Sequence, residues 1–289
     1  MILVTGANGQ VGHELTLQRE YAGQVLRCLP REQFDITDPD MVNARMAELK
    51  PALVINAAAY TAVDRAETEA EQAFAVNRYG VALLAEACSR HAVPLLHIST
   101  DYVFDGRQKN AYREDAPVNP AGIYGKSKLA GEMEIRQRLE KHIILRTSWV
   151  FGAHGHNFVK TMLRLGRERR ELKIVNDQFG GPTAAADIAE ALLRIGQKIL
   201  SEKNIPWGTY HFSGAPDTTW YRFAEEIFRQ ARKSGYQPPN LEPITSDEYP
   251  TPAKRPTNSA LDCGKIERNF GITRPDWKRG LARVLDVIS

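Results

Sequence analysis

Along the first half of the chain, short apolar runs alternate with longer stretches of helical periodicity. Residues 1–5 (MILVT), 24–29 (QVLRCL), 52–60 (ALVINAAAY), 93–100 (VPLLHIST) and 142–152 (HIILRTSWVFG) are near-continuous apolar runs, suited to strands buried on both faces. Helical patterns separate them: from the glycine-containing loop to about residue 20, from about Asp38, over about 65–91, and from Tyr124 onward. This alternation predicts an α/β fold built on a doubly wound parallel sheet. After residue 153 the pattern loosens. Helices are expected at 157–172, 184–200, 218–235, 263–270 and 275–287, and strand-like segments at 172–177 and 208–214. The proline-rich run at 238–258 reads as an irregular binding lid holding Tyr249, Lys254 and Arg255. No repeat or low-complexity segment interrupts the chain.

The first strand runs straight into Gly6-Ala7-Asn8-Gly9-Gln10-Val11-Gly12 and then a helix. Strand, glycine loop and helix are the context a dinucleotide pyrophosphate requires. Glycines let the backbone approach, and the helix N-terminus attracts the negative charge. The spacing is G-x-x-G-x-x-G rather than G-x-G-x-x-G, and a packing turn is the rival reading. A first domain over 1–153 is therefore expected to bind a dinucleotide, with 184–207 returning to it. Residues 154–289 are expected to form a smaller mixed domain, largely for substrate. Near the second strand's end stands Arg31 with no carboxylate at the position that would choose a ribose 2′-hydroxyl. That favours NADPH, without strict discrimination against NADH; Glu32 close by counts against it. Asp35 and Ile36 could frame the adenine, carboxylate to the amino group and isoleucine to the ring face. Ala57, Ala58 and Ala59, with Thr61 beyond, leave room for a cofactor at the third strand's carboxyl end.

Tyr124 and Lys128 are one helical turn apart on one face. A free phenol, with a pKa of ~10, is a weak acid at neutral pH, and a nearby ammonium favours the phenolate. The fourth strand delivers Thr100 to the same edge. The bland reading of such a pair, a ring beside a solvated amine, loses ground once all three share one architecture.

Bulk composition adds only exclusions. A formal charge of +3 with scattered basic residues does not suggest nucleic acid. The three cysteines match neither a disulfide framework nor a zinc pattern. No apolar run reaches the ~18 residues of a membrane span, and no signal segment opens the chain, so a cytoplasmic protein without membrane partners is expected.

The glycine loop G6ANGQVG12, Thr100 and Y124GKSK128 together resemble the extended short-chain dehydrogenase/reductase superfamily. Within it the chain is similar to the dTDP-4-dehydrorhamnose reductase family through INAAAYTAVDRAE (55–67), STDYVF (99–104), YGKSKLAGE (124–132), LRTSWVFG (145–152), NFVKTMLRL (157–165), NDQFGGPT (176–183) and YPTPAKRPTNSALD (249–262). The resemblance implies a Rossmann-like fold and hydride transfer from NADPH to the C4 ketone of a dTDP-sugar, dTDP-4-dehydro-L-rhamnose. Tyr124 would protonate the forming alkoxide, Lys128 would lower its pKa and hold the nicotinamide ribose, and Thr100 would hydrogen-bond the carbonyl. Asp101, Tyr102 and Trp149 would line the sugar pocket, and Asn157, Gln178 and Arg255 the diphosphate end. The glycine-loop residues Gly6, Asn8, Gly9, Gln10, Val11 and Gly12 would hold the cofactor.

Some relatives are magnesium-dependent dimers bridged by glutamates. Glu14 is the nearest counterpart here and the other acidic positions do not match, so no metal site is expected. His154 and His156 lack a third ligand and read as loop residues. Monomer and homodimer stay open. Dehydration is disfavoured because Tyr102, not glutamate, follows Asp101. Epimerases, a reductase giving the 6-deoxy-talose epimer, and a non-catalytic regulatory subunit remain as alternatives.

Overall fold

The computed structural model describes residues 1–232 and 235–288. Its centre is a seven-stranded sheet. Strands β1 (Ile2–Thr5), β2 (Glu20–Tyr21), β3 (Gln24–Leu29), β4 (Leu53–Asn56), β5 (Leu95–Thr100) and β6 (His142–Thr147) are joined by the strand Gly208–His211, in the order Gly208–His211, β6, β5, β4, β1, β3, β2. All pairings are parallel except that of the short edge strand β2 with β3. Every side chain of β1, β4 and β6 is buried, as apolar strands covered on both faces must be. The strand order reverses at β1, between β3 and β4, and a crevice opens at such a switch point beyond the strands' carboxyl ends.

One face of the sheet is covered by the helices Gln10–Gln18 and Ala185–Ser201, whose Val11, Leu15, Ile188 and Leu192 share a core with Ile2, Val4 and Ile55. The helix Gly264–Phe270 joins the same core through Ile266 and Phe270. On the other face, Val42 and Met46 of Pro39–Leu49 and Leu84 and Cys88 of Val81–Arg90 pack with Phe34, Leu95 and Ile135. The first of these helices begins where the sequence places it. Asp38 caps it, accepting from the backbone N–H of Asp40 and Met41, and Pro39 follows. A separate core gathers Phe151, Val159, Met162, Phe223, Ile227, Trp277 and Leu281.

Several elements differ from the sequence expectation. The helical stretch expected over 65–91 is in pieces: Val63–Ala66, Ala70–Phe74, a π-helical Ala75–Gly80 and Val81–Arg90. The strand expected over 142–152 breaks after Thr147, because Trp149 adopts a left-handed φ of 48° before Val150–Phe151 resumes. The proline-rich run is not wholly irregular: Asn240–Ile244 pairs in parallel with Glu171–Val175. The helix expected over 218–235 spans Trp220–Ala231, and residues 233 and 234 lie outside the described residues. No described helix is long and apolar enough to cross a membrane.

The helix Ile123–Arg138 lies against β5 and β6 with Lys128 and Glu132 buried at 2% and 0% exposure. Glu132 receives Arg146 in a two-pronged contact at 2.9 and 2.7 Å, the Ser99 hydroxyl at 2.6 Å and Arg136 at 2.7 Å. A buried carboxylate survives only with such pairing. Replacing Glu132 by glutamine strands the Arg146 guanidinium beneath the sheet. Urea denaturation of Glu132→Gln is expected to show a loss of about 3–5 kcal/mol.

Candidate active site

The loop after β1 and the loop after β4 meet at the crevice. Gly6 has φ 75°, open to glycine but rarely to L side chains, and a Cβ there would lie 2.5 Å from the Ala58 backbone nitrogen. The Ala57 N–H is tied to the Thr5 carbonyl at 3.2 Å. Gly12 is held closed on the loop, since a Cβ would collide with the Gly6 carbonyl. The helix Gln10–Gln18 starts at Gly9 without a side-chain cap, so its first N–H groups are not taken by a capping side chain. Asn8 and Gly9 are exposed, and Ala57, Ala58 and Ala59 half-buried with Thr61 exposed beside them. A close-packed glycine cradle with an uncapped helix start and a floor of small residues fits a dinucleotide pyrophosphate.

At the second strand's end, Arg31 is exposed and bonded to Asp35 at 2.8 Å. Asp35 also accepts from Thr37 N–H and Oγ1 at 2.9 and 2.8 Å. Burial opposes its charge, but these hydrogen bonds and the Arg31 guanidinium hold its carboxyl below the ordinary value. Both Asp35 oxygens are thus engaged, Oδ1 by Thr37 and Oδ2 by Arg31. Ile36 departs from the expected adenine face. It is buried in the core at 2% exposure, against Gly80, where a Cβ would come within 2.8 Å of its Cγ1. The π-helical turn brings Gly80 up to that side chain.

At the end of β5, Thr100 donates to Asp101 Oδ1 at 3.0 Å and accepts from the Tyr102 N–H at 3.3 Å. Tyr102 and Tyr124 meet edge to face, with centroids 5.6 Å apart. Burial raises the Tyr124 phenol above its ordinary pKa, while Thr100 pulls it down and Asp101 and Tyr102 push it up. The expected lowering by Lys128 is therefore not what dominates in the free protein. Lys128 instead donates to the Ile98 carbonyl at 2.7 Å and approaches His97 Nε2 at 3.3 Å, and burial pushes it down to about 8 against the pull of Glu132. Asp101 is buried, and its Oδ2 has no hydrogen-bond partner among the described residues. Burial pushes its carboxyl up to about 6, against the nearby Ser259 hydroxyl, the hydrogen bond from Thr100 and the Arg255 charge. An orphaned carboxyl oxygen beside a tyrosine and a threonine suits a sugar hydroxyl.

The remaining expected substrate residues have partners of their own. Arg255 donates to the Tyr102 hydroxyl at 2.9 Å and pairs with Asp64 at 2.6 Å, joining the proline-rich run to Val63–Ala66. Trp149 stacks on Trp220 with centroids 3.6 Å apart, and Gly180 leaves room for its ring. Asn157 caps the helix Phe158–Glu168 and donates to Gln10 Oε1 at 3.0 Å and Gly152 O at 2.8 Å. That places it against the glycine loop. Gln178 donates to Ser246 at 2.9 Å and is buried. His154 stacks on His13 and bonds the Asn8 carbonyl at 3.1 Å, again at that loop. Among the described residues no three His, Cys, Asp or Glu side chains cluster as a metal ion would need.

Sequence reasoning overlooked His97, Asn56, Asp64 and Trp220. A histidine inside the apolar LLHIST strand was a visible signal; the other three depend on contacts far along the chain.

A family model described as RmlD substrate binding domain matches residues 1–289. The dTDP-4-dehydrorhamnose reductase of Aggregatibacter actinomycetemcomitans is 47% identical over 286 residues, 98% of this chain and 97% of that protein. A crystal structure of a dTDP-4-dehydrorhamnose reductase from Clostridium acetobutylicum is 39% identical, with a TM-score of 0.92 over 99% of both chains. That of Bacillus anthracis, solved in complex with NADP, is 36% identical, with a TM-score of 0.90 over 99% of this chain and 98% of its own.

Asp101 gives a test in the free protein. A carboxyl raised from 3.8 to about 6 by folding favours the native state below about pH 4, and that contribution is lost as pH rises through 6. Asp101→Asn removes the buried charge. In thermal or urea unfolding it is expected to be more stable than the parent by about 1–3 kcal/mol at pH 7.5, with the gain vanishing near pH 4.

Proposed function

The chain belongs to the dTDP-4-dehydrorhamnose reductase family, and we propose that it reduces the C4 ketone of dTDP-4-dehydro-L-rhamnose to dTDP-L-rhamnose with NADPH. The observation that carries this reading is the convergence of Thr100, Tyr124, Lys128 and the unpartnered Asp101 oxygen at the carboxyl edge of the sheet, beside the glycine cradle. NADPH, when bound, supplies the hydride that reduces the ketone. Residues 1–153, with the returning Ala185–Ser201 helix, hold the cofactor, and those from 154 on supply much of the sugar and nucleotide face.

Tyr124 delivers the proton to the ketone oxygen as negative charge gathers there, and Thr100 donates a hydrogen bond to the same oxygen. A buried phenol keeps its proton in the free protein, so it arrives as an acid. A positioned acid contributes typically ~10²–10⁴ in rate. Asp101 accepts a sugar hydroxyl, Tyr102 and the Trp149–Trp220 stack flank the ring, and Arg255 meets the diphosphate by releasing its grip on Asp64. Its planar fork suits that group. Gln178 and Asn157 support this face through the lid turn and the glycine loop. Arg31, aimed by Asp35, meets the 2′-phosphate, which favours NADPH while leaving NADH a weaker cofactor.

Following NADPH absorbance with dTDP-4-dehydro-L-rhamnose, and reading C4 of the product by NMR, tests the assignment. The rhamno product is expected; a talo product, or no oxidation of NADPH, refutes it. Tyr124→Phe is expected to lower kcat by at least ~10²-fold while NADPH still binds, as followed by fluorescence titration. Arg31→Ala is expected to raise KM for NADPH about tenfold and leave that for NADH within about twofold, since only the former presents a phosphate to the guanidinium.

A further inference from the structure

Beneath Lys128 lies a chain of buried hydrogen bonds that crosses three strands. Lys128 Nζ is 3.3 Å from His97 Nε2, and His97 Nδ1 is 3.0 Å from Asn56 Nδ2. Asn56 Oδ1 in turn accepts the Ala58 backbone N–H at 3.0 Å and the Thr5 hydroxyl at 2.7 Å. Thr5, Asn56 and His97 are each 0% exposed, out of reach of bulk water.

Donor and acceptor bookkeeping then leaves one arrangement. A backbone N–H only donates, so the Asn56 side-chain oxygen must face Ala58 and its amide NH₂ must face the imidazole. His97 Nδ1 is thereby the acceptor. A neutral imidazole carries its one proton on the other nitrogen, so Nε2–H points at Lys128. An ammonium has donors and no acceptor, and would oppose this N–H with its own. A free amine has a lone pair to receive it while still donating to the Ile98 carbonyl.

We propose that Asn56 and His97 are a positioning pair that fixes the proton inventory at Lys128: they hold the imidazole in its Nε2–H form, so the neutral amine is the partner that completes the buried chain. This rests on the reading of Lys128 as a member of the catalytic set. Its consequence there is that Lys128 can change charge during turnover instead of standing as a permanent cation.

The groups acting on the pair come from several elements. Tyr124 and Glu132 flank Lys128 on its own helix, and Glu132 is itself neutralised by Arg146 of β6 and by Arg136. His142 of β6 acts on His97. Burial, with Lys128 and His142 adding to it, holds His97 well below the ordinary imidazole value, so the ring stays neutral. Burial likewise lowers Lys128 to about 8, with Glu132 opposing that fall, so the ammonium prevails at neutral pH and the amine that completes the chain is reached as pH rises through 8.

Nitrogen-15 NMR of the ligand-free protein, labelled at histidine, tests the tautomer without any variant. The chain has seven histidines, and the His97 signals are identified by their loss in His97→Gln. A neutral Nε2–H ring between pH 5.5 and 9 is the expected result; an Nδ1–H ring, or a protonated one, overturns the proposal. The second arm is Asn56→Asp. A carboxylate facing Nδ1 draws the proton there and turns the Nε2 lone pair toward Lys128, which favours the ammonium. The Lys128 titration midpoint, followed by carbon-13 NMR at Cε, is then expected to rise by about one unit, a tenfold shift in its proton equilibrium. A folded variant with an unmoved midpoint overturns the proposal, and if the variant does not fold, the wild-type tautomer decides. Both readouts use the free protein, so they succeed or fail independently of the substrate assignment.

Discussion

The helix Ile123–Arg138 buries a lysine and a glutamate one turn apart against a parallel sheet, and much of the molecule is arranged to make that tolerable. An unpaired charge in such a place would cost several kcal/mol. Glu132 is met by Arg146, Arg136 and Ser99, and Lys128 by the Ile98 carbonyl. The helix can lie this close because its inward face is otherwise small: Gly125 abuts the Tyr102 carbonyl and Gly131 the Asn77 carbonyl, where any Cβ would collide. Asn77 also receives attention from both sides, donating to Ser127 and to the Tyr60 carbonyl. The Tyr124 phenol is thus set on a helix with little freedom to shift, as the proton-donor role proposed for it requires.

The second half of the chain closes the site from outside that frame. Arg255 and Ala253 of the proline-rich run both engage Asp64, while Asn258 and Thr257 bond to the Gly106 carbonyl. Trp149 is held in a left-handed backbone conformation that costs a bulky residue of order 1–3 kcal/mol. The stack on Trp220 and the strand bridge of Val150–Phe151 to Thr183–Ala184 hold it there. Strain at this point turns the chain out of β6 and into the second half of the molecule. The glycine loop is also braced by that half, through Asn157 on Gln10 and His154 on the Asn8 carbonyl. The glycine loop and the second half of the chain therefore share a hydrogen-bonded frame.

Much of this was legible in the residues. Continuous apolar runs gave the parallel strands, the Gly6–Gly12 spacing gave a close-packed glycine turn before a helix, and a helix start was legible near Asp38. The Tyr124 helix was found by its chemistry and not by amphipathicity, because its buried face carries glycine, serine, lysine and glutamate. What went unread has one physical origin. Ile36, placed against adenine by its neighbour Asp35, is core because a π-helical turn brings Gly80 against it. Asn157 and Gln178 are polar residues in open-looking segments, yet their hydrogen bonds go to Gln10 and Ser246, far along the chain.

The sequence by itself determined the sheet, the glycine turn and which side chains stand at the sheet's carboxyl edge, because periodicity, glycine and local spacing act over a few residues. Tertiary structure alone decided their electrostatic state. Whether Tyr124 is raised or lowered, whether Asp101 keeps a free oxygen, and what Lys128 touches all depend on burial and on partners from other strands. Burial is a property of the packed whole, and no window of the chain contains it.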